Sequence, residues 1–127
     1  VRPLGRLDDE AVARRLARRP IVASVARYEP FGLAVLEAAQ AGCALVLSDI
    51  PTFRELWEGA ALFVPADDDR AIADAILRLA GDPALRARLG QAAQERSQAY
   101  SVDAMSAGLA AVYRSLLAGT PAETQAA

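Results

Sequence analysis

The chain has no histidine and no lysine. Without imidazole there is no side chain of the kind that most often serves as a general base near neutral pH. A base-dependent inverting reaction would need that group from elsewhere. Without lysine, every basic side chain is an arginine. Cysteine is nearly absent too: Cys43 stands alone between a helix end and an apolar run, and reads as a small buried hydrophobe rather than a reactive thiol. No apolar run approaches the length needed to span a bilayer, and no signal peptide is visible, so the expected location is cytoplasmic. A strong charge of either sign is also missing. The net charge is −2, which points to no nucleic-acid or polyanion partner.

What remains is the composition of an ordinary globular domain: 127 residues, 54% of them hydrophobic, enough for one domain with a real core. The chain begins with Val1 and its one methionine is Met105, which suggests a piece of a longer polypeptide. The pattern alternates strand and helix, the mark of an α/β parallel sheet. Asp8 caps a helix running to about Arg19, with Val12 and Leu16 at helical spacing. Ile21 to Val25 is a short strand. Ala44 to Leu47 is a continuous apolar run, as in a parallel strand covered on both faces. A short helix spans Thr52 to Trp57, and Leu62 to Val64 is the next strand. Asp67 to Asp69 open a helix with Ile72, Ile76 and Leu79 as its buried stripe; they read as a cap with favourable dipole charges, not as a metal motif. Pro83 starts a helix whose Leu85 and Leu89 face inward. Met105, Leu109, Val112 and Leu116 form the stripe of the last long helix, and the tail from Gly119 reads as disordered. The domain is expected over residues 1–118, with the closing helix at about 102–118.

The chemistry concentrates in Glu29-Pro30-Phe31-Gly32-Leu33-Ala34-Val35-Leu36-Glu37. One carboxylate precedes a glycine-started helix and a second lies within it. From Gly32 to Gly42 the only polar side chains are Glu37 and Gln40, so this helix reads as buried all round, and an ionised carboxylate on it needs a partner. A helix N-terminus favours an anion such as phosphate, and Gly32 allows close approach to the main chain. Glu37 lies five residues on, about 7.5 Å along the axis at the helical rise, roughly the span from a diphosphate to a ribose. Carboxylates repel phosphate, so both acids suit hydroxyl groups instead. A nucleotide-diphosphate sugar fits that pattern. So does a plainer reading, in which Glu29 is a solvated loop residue and Glu37 salt-bridges an arginine. The two arginine pairs Arg14-Arg15 and Arg18-Arg19 read as solvated helix edges, and Asp49 as either a cap or a site residue.

The segment from Arg27 to Asp49 resembles the donor-binding signature of retaining glycosyltransferases with the GT-B fold, within the large family-four group. Glu29, Phe31, Gly32 and Glu37 match its Glu, seven residues, Glu pattern position by position. The likeness continues through Ala60–Pro65, Asp82-Pro83 to Arg96, Tyr100-Ser101 and Tyr113-Arg114, and it covers roughly residues 4–118. Glu55 matches a further family Glu only weakly.

The resemblance implies a Rossmann-like parallel sheet with flanking helices: part of the C-terminal donor domain of a GT-B enzyme. The glycine-rich turn with its Arg/Lys pair and the N-terminal acceptor domain would lie outside this chain. It implies a catalytic Glu29 touching the donor sugar, and Glu37 on the ribose hydroxyls. Main-chain amides near Phe31, Gly32 and Leu33 would receive the diphosphate or the sugar. The donor would be of UDP or GDP type, the acceptor a glycan, lipid or small molecule, with no cofactor and no metal. Two other readings stand beside it: a nucleotide-sugar epimerase, for which no His is offered, and a non-catalytic remnant or interaction module. The partial sheet would leave an open strand edge, a route to self-association.

Overall fold

The computed structural model describes residues 2–119 and divides the chain into two compact units, one ending at Ser97 and the other starting at Gln98. The expected 1–118 domain thus has a boundary inside it, and most of the tail expected to be disordered lies outside the described residues.

The first unit alternates helix and strand: α1 (Asp9–Leu16), β1 (Ile21–Ser24), α2 (Leu33–Gln40), β2 (Ala44–Ser48), α3 (Pro51–Trp57), β3 (Ala61–Val64), α4 (Asp69–Gly81) and α5 (Pro83–Ser97). The strands form a parallel sheet in the order β1-β2-β3. Every residue of β2 is buried, in keeping with the apolar run Ala44–Leu47 of a strand covered on both faces. Ala44 and Val46 join Val64, Ala75, Leu79, Leu85 and Leu89 in a core against α4 and α5. The two-residue period turns Leu45 and Leu47 to the opposite face, where both are also fully buried.

Side chains close the helix starts where the sequence places them. Asp8 accepts from the Ala11 N–H at 2.8 Å, Asp68 from Ala71 at 2.9 Å and Asp82 from Leu85 at 2.9 Å. α5 is held close to the sheet by glycine. A Cβ on Gly90 would sit against the Gly42 carbonyl oxygen, well inside van der Waals contact. Arg96, near the far end of α5, donates to the Leu56 carbonyl at 2.8 Å and the Glu55 carbonyl at 3.2 Å, satisfying acceptors at the end of α3.

The second unit holds a 3₁₀ turn (Gln98–Tyr100) and α6 (Val102–Leu117), capped by Ser101, whose hydroxyl accepts from Ala104 at 3.1 Å. Met105, Leu109, Val112 and Leu116 do share the helix, but each is exposed. The helical period identifies an apolar face without saying whether anything covers it.

Candidate functional site

The carboxyl ends of the three strands lie level, with Ser24 opposite Leu47 and Ser48 opposite Val64. Ligands in such sheets bind beyond this edge. Two contacts hold the loops there. The buried Ser48 hydroxyl donates to the Ala26 carbonyl at 2.5 Å, pinning the segment after β1 to the end of β2. The Asp49 N–H donates to the Val64 carbonyl at 2.8 Å and extends the β2–β3 pairing by one step.

That pinned segment leads into Gly32, the N-cap of α2, at φ 84° and ψ 63°. This left-handed conformation is costly for any residue with a Cβ. The space is tight as well: a Cβ there would lie 3.0 Å from Phe53 Cε1 and 3.4 Å from Glu29 Cγ, so the Phe53 side chain would have to give by a few tenths of an ångström. Glu29 folds back over the same turn. Its Oε1 accepts from the Gly32 N–H at 3.0 Å and, at the long limit, from Phe31 at 3.5 Å. Two of the amides expected to receive a diphosphate are therefore already engaged by Glu29. Among the described residues, the Leu33 and Ala34 N–H groups meet no acceptor, as expected for the first turn of a helix.

The reading of α2 as buried all round does not hold. Val35, Leu36, Ala38 and Ala39 are buried, but Leu33, Ala34, Glu37 and Gln40 form an exposed face. Leu33 is 68% exposed. The pattern misled because an apolar side chain does not oblige burial. Glu37 is thus a solvent-facing carboxylate one turn from Leu33, not a charge stranded in a core. The plainer reading also fails for it, since among the described residues no arginine lies within ion-pair distance of Glu37. Glu37 and Gln40 line a cavity of about 600 Å³ with Asp9, Val12, Leu16 and Arg19 from α1 and the segment after it. Glu29, Phe31, Gly32 and Leu33 are not part of that lining. The five expected site residues therefore share one turn and the adjoining helix rather than one enclosed cavity.

Arg54, which sequence reasoning passed over, organises the neighbouring loop. Its Nε and Nη2 donate to the two oxygens of Asp49 at 2.7 and 2.8 Å, and its Nη1 to Glu58 at 3.0 Å. Its guanidinium lies 4.1 Å from the centroid of Phe63. The Arg54–Glu58 spacing of four within a helix was the available signal. The guanidinium beside Asp49 holds its carboxyl below the ordinary aspartate range. Asp49 pairs with Arg54; Ile50 is the N-cap of α3, so the capping reading of Asp49 lapses. Glu55 is exposed, and its carbonyl serves Arg96. Burial pushes the Cys43 thiol up against a smaller opposing effect of Arg19, and its Sγ lies 3.7 Å from the Leu16 carbonyl oxygen. A buried thiol kept protonated is inert, as its sequence context implied.

A parallel sheet, crossed by helices and carrying an anchored glycine turn at its carboxyl ends, defines a Rossmann-like α/β domain. Its architecture matches sucrose-phosphate synthase from Thermosynechococcus elongatus with a TM-score of 0.81 and 32% identity, over 92% of this chain and 30% of that one. Residues 1–96 match the family described as glycosyl transferases group 1, and the chain belongs to that family. It is 34% identical over 119 residues to the phosphatidyl-myo-inositol mannosyltransferase of Mycolicibacterium smegmatis, covering 91% of this chain and 31% of that protein. It is also 34% identical over 96 residues to the lipopolysaccharide core biosynthesis mannosyltransferase LpsB of Rhizobium meliloti, covering 72% and 27%. The chain therefore spans less than a third of the length of these relatives. Among the described residues, no helix is long and apolar enough to cross a membrane.

Proposed function

We propose that the protein containing this chain transfers a hexose-type sugar from a nucleotide-diphosphate donor, of UDP or GDP type, to a glycan, lipid or small-molecule acceptor, with retention at the anomeric carbon and without a metal ion. The observation that carries this reading is the exposed face of α2: a Glu37 carboxylate with no ion-pair partner among the described residues, one turn from the Leu33 and Ala34 amides, which meet no acceptor there, at the carboxyl edge of the sheet. The amides and the helix dipole suit a phosphate, and the carboxylate suits a ribose diol. Mannosyltransferases among the relatives favour a hexose donor.

In this reading the bond from the anomeric carbon to the diphosphate oxygen breaks, and the acceptor oxygen bonds to that carbon on the same face. The acceptor proton passes to the departing diphosphate, so no imidazole is required. Catalysis then rests on charge stabilisation at the phosphates and on positioning. Glu29 contacts the donor sugar, and releasing its hold on the Phe31 and Gly32 amides frees them for the diphosphate.

The intact protein tests this. A panel of sugar nucleotides, read out by release of free nucleotide, should single out one donor. Glu37→Ala should weaken its binding by about tenfold to a hundredfold in calorimetry, as loss of charged hydrogen bonds does. Unchanged affinity would remove Glu37 from the site. Glu29→Gln keeps an oxygen that accepts from the loop amides but loses the charge. Turnover should fall while the melting temperature stays, and wild-type turnover would show that Glu29 is a cap and nothing more.

A further inference from the structure

The amino-terminal edge of the sheet carries a second concavity that the proposed reaction does not use. It measures about 590 Å³, within the usual range for small-molecule sites, and its lining includes Arg18, Arg19, Arg86, Gln91, Gln94 and Glu95. It lies where β1 and β2 begin, one strand length of about 15 Å from the glycine turn.

Three features build this site. The Gly90–Gly42 approach draws α5 onto the start of β2, and Arg86, one turn before Gly90, shares its helix face. Arg19 adopts φ 50°, a left-handed conformation unusual for a residue with a side chain, and its guanidinium packs over Gly42, whose Cβ would lie 3.2 Å from Arg19 Nε. Gln94 is fixed beside them by donating to the Gln40 carbonyl at 2.9 Å. Charge is unbalanced. Among the described residues, none of the three arginines has a carboxylate within ion-pair distance. Glu95, the one acid in the lining, accepts from Gln91 at 2.9 Å, and Asp82 is used to cap α5.

We infer that this basic concavity binds the phosphoryl group of a small anionic ligand, through Arg18, Arg19 and Arg86. Guanidinium forks match phosphate oxygens two at a time, and Gln91 and Gln94 add neutral amides at the rim. The cavity is larger than a bare phosphate, which leaves room for the body that carries it, either a free phosphorylated metabolite or the headgroup of an anionic phospholipid.

The intact protein is titrated with inorganic pyrophosphate by calorimetry at low ionic strength, and is floated with phosphatidylcholine vesicles with and without phosphatidic acid. Saturable pyrophosphate binding, weakened about tenfold by Arg18→Gln or Arg86→Gln and by added salt, supports the site with a free ligand. Recruitment to the acidic vesicles alone, lost in the same variants, supports the lipid source. Arg19 is left unaltered because it also borders the Glu37 cavity. Arg18→Gln and Arg86→Gln must leave turnover of the sugar nucleotide unchanged, which separates the two sites. Absence of both signals, or wild-type behaviour in both arginine variants, overturns the inference. If Arg86→Gln fails to fold, the exposed Arg18→Gln decides the matter alone.

Discussion

At the scale of single residues, Gly32 is the position where two demands meet. Its backbone occupies the left-handed region, and a Cβ there would stand 3.0 Å from Phe53 Cε1. Alanine there improves no contact and adds strain, so Gly32→Ala should destabilise the protein by about 1–3 kcal/mol, read from urea unfolding. Donor binding should fall with it, because the same turn orients the α2 amides; a stable variant with intact binding would contradict this. Asp49 gives a pH prediction. Its folded carboxyl titrates below the ordinary aspartate value of 3.8 because of the Arg54 hydrogen bonds. Its contribution is therefore complete above that ordinary value and is lost as pH falls through the lower, folded one. Asp49→Asn should flatten the acid limb of the stability curve below about pH 4, and an unchanged limb would show that the pair contributes nothing.

Among the elements, α5 is placed by a glycine rather than by its leucines alone. Gly90→Ala should raise intrinsic helix stability by up to about 1 kcal/mol. The added methyl would press on the Gly42 carbonyl, a backbone atom that cannot rotate away. Overpacking of that kind costs about 1–3 kcal/mol, so net destabilisation is expected, and a raised melting temperature would refute the close approach. The elements themselves were largely legible. Asp8 and the Asp67–Asp69 run announced two helix starts, and Ala44–Leu47 announced the central strand. The faces were less so. Leu33 and Ala34 looked like core on α2, because hydrophobicity records what a residue tolerates and burial depends on what arrives opposite it. At the candidate site the glycine turn before α2 was legible, but its wiring was not. That Glu29 would accept from the amides beside it, and that Ser48 would reach Ala26, depends on loop geometry that no spacing rule encodes.

For the molecule as a whole, the sheet is the feature with consequences. Among the described residues β1 and β3 each pair on one side, so each leaves a row of backbone donors and acceptors open. A strand edge in that condition is a template for another chain. β1 is the more accessible of the two, since Ala23 is exposed and the other three residues are half-buried, whereas Ala61 and Val64 of β3 are buried. The isolated 127-residue chain should therefore associate with itself in sedimentation velocity, its weight-average mass rising with concentration. Ala23→Lys places a charge on the exposed position of that edge, a means by which proteins keep strand edges from pairing. It should shift the chain toward monomer while leaving the melting temperature of the sheet little changed. A wild-type chain that sediments as a monomer at every concentration would show that the edge is already protected, and self-association through β1 would have to be abandoned.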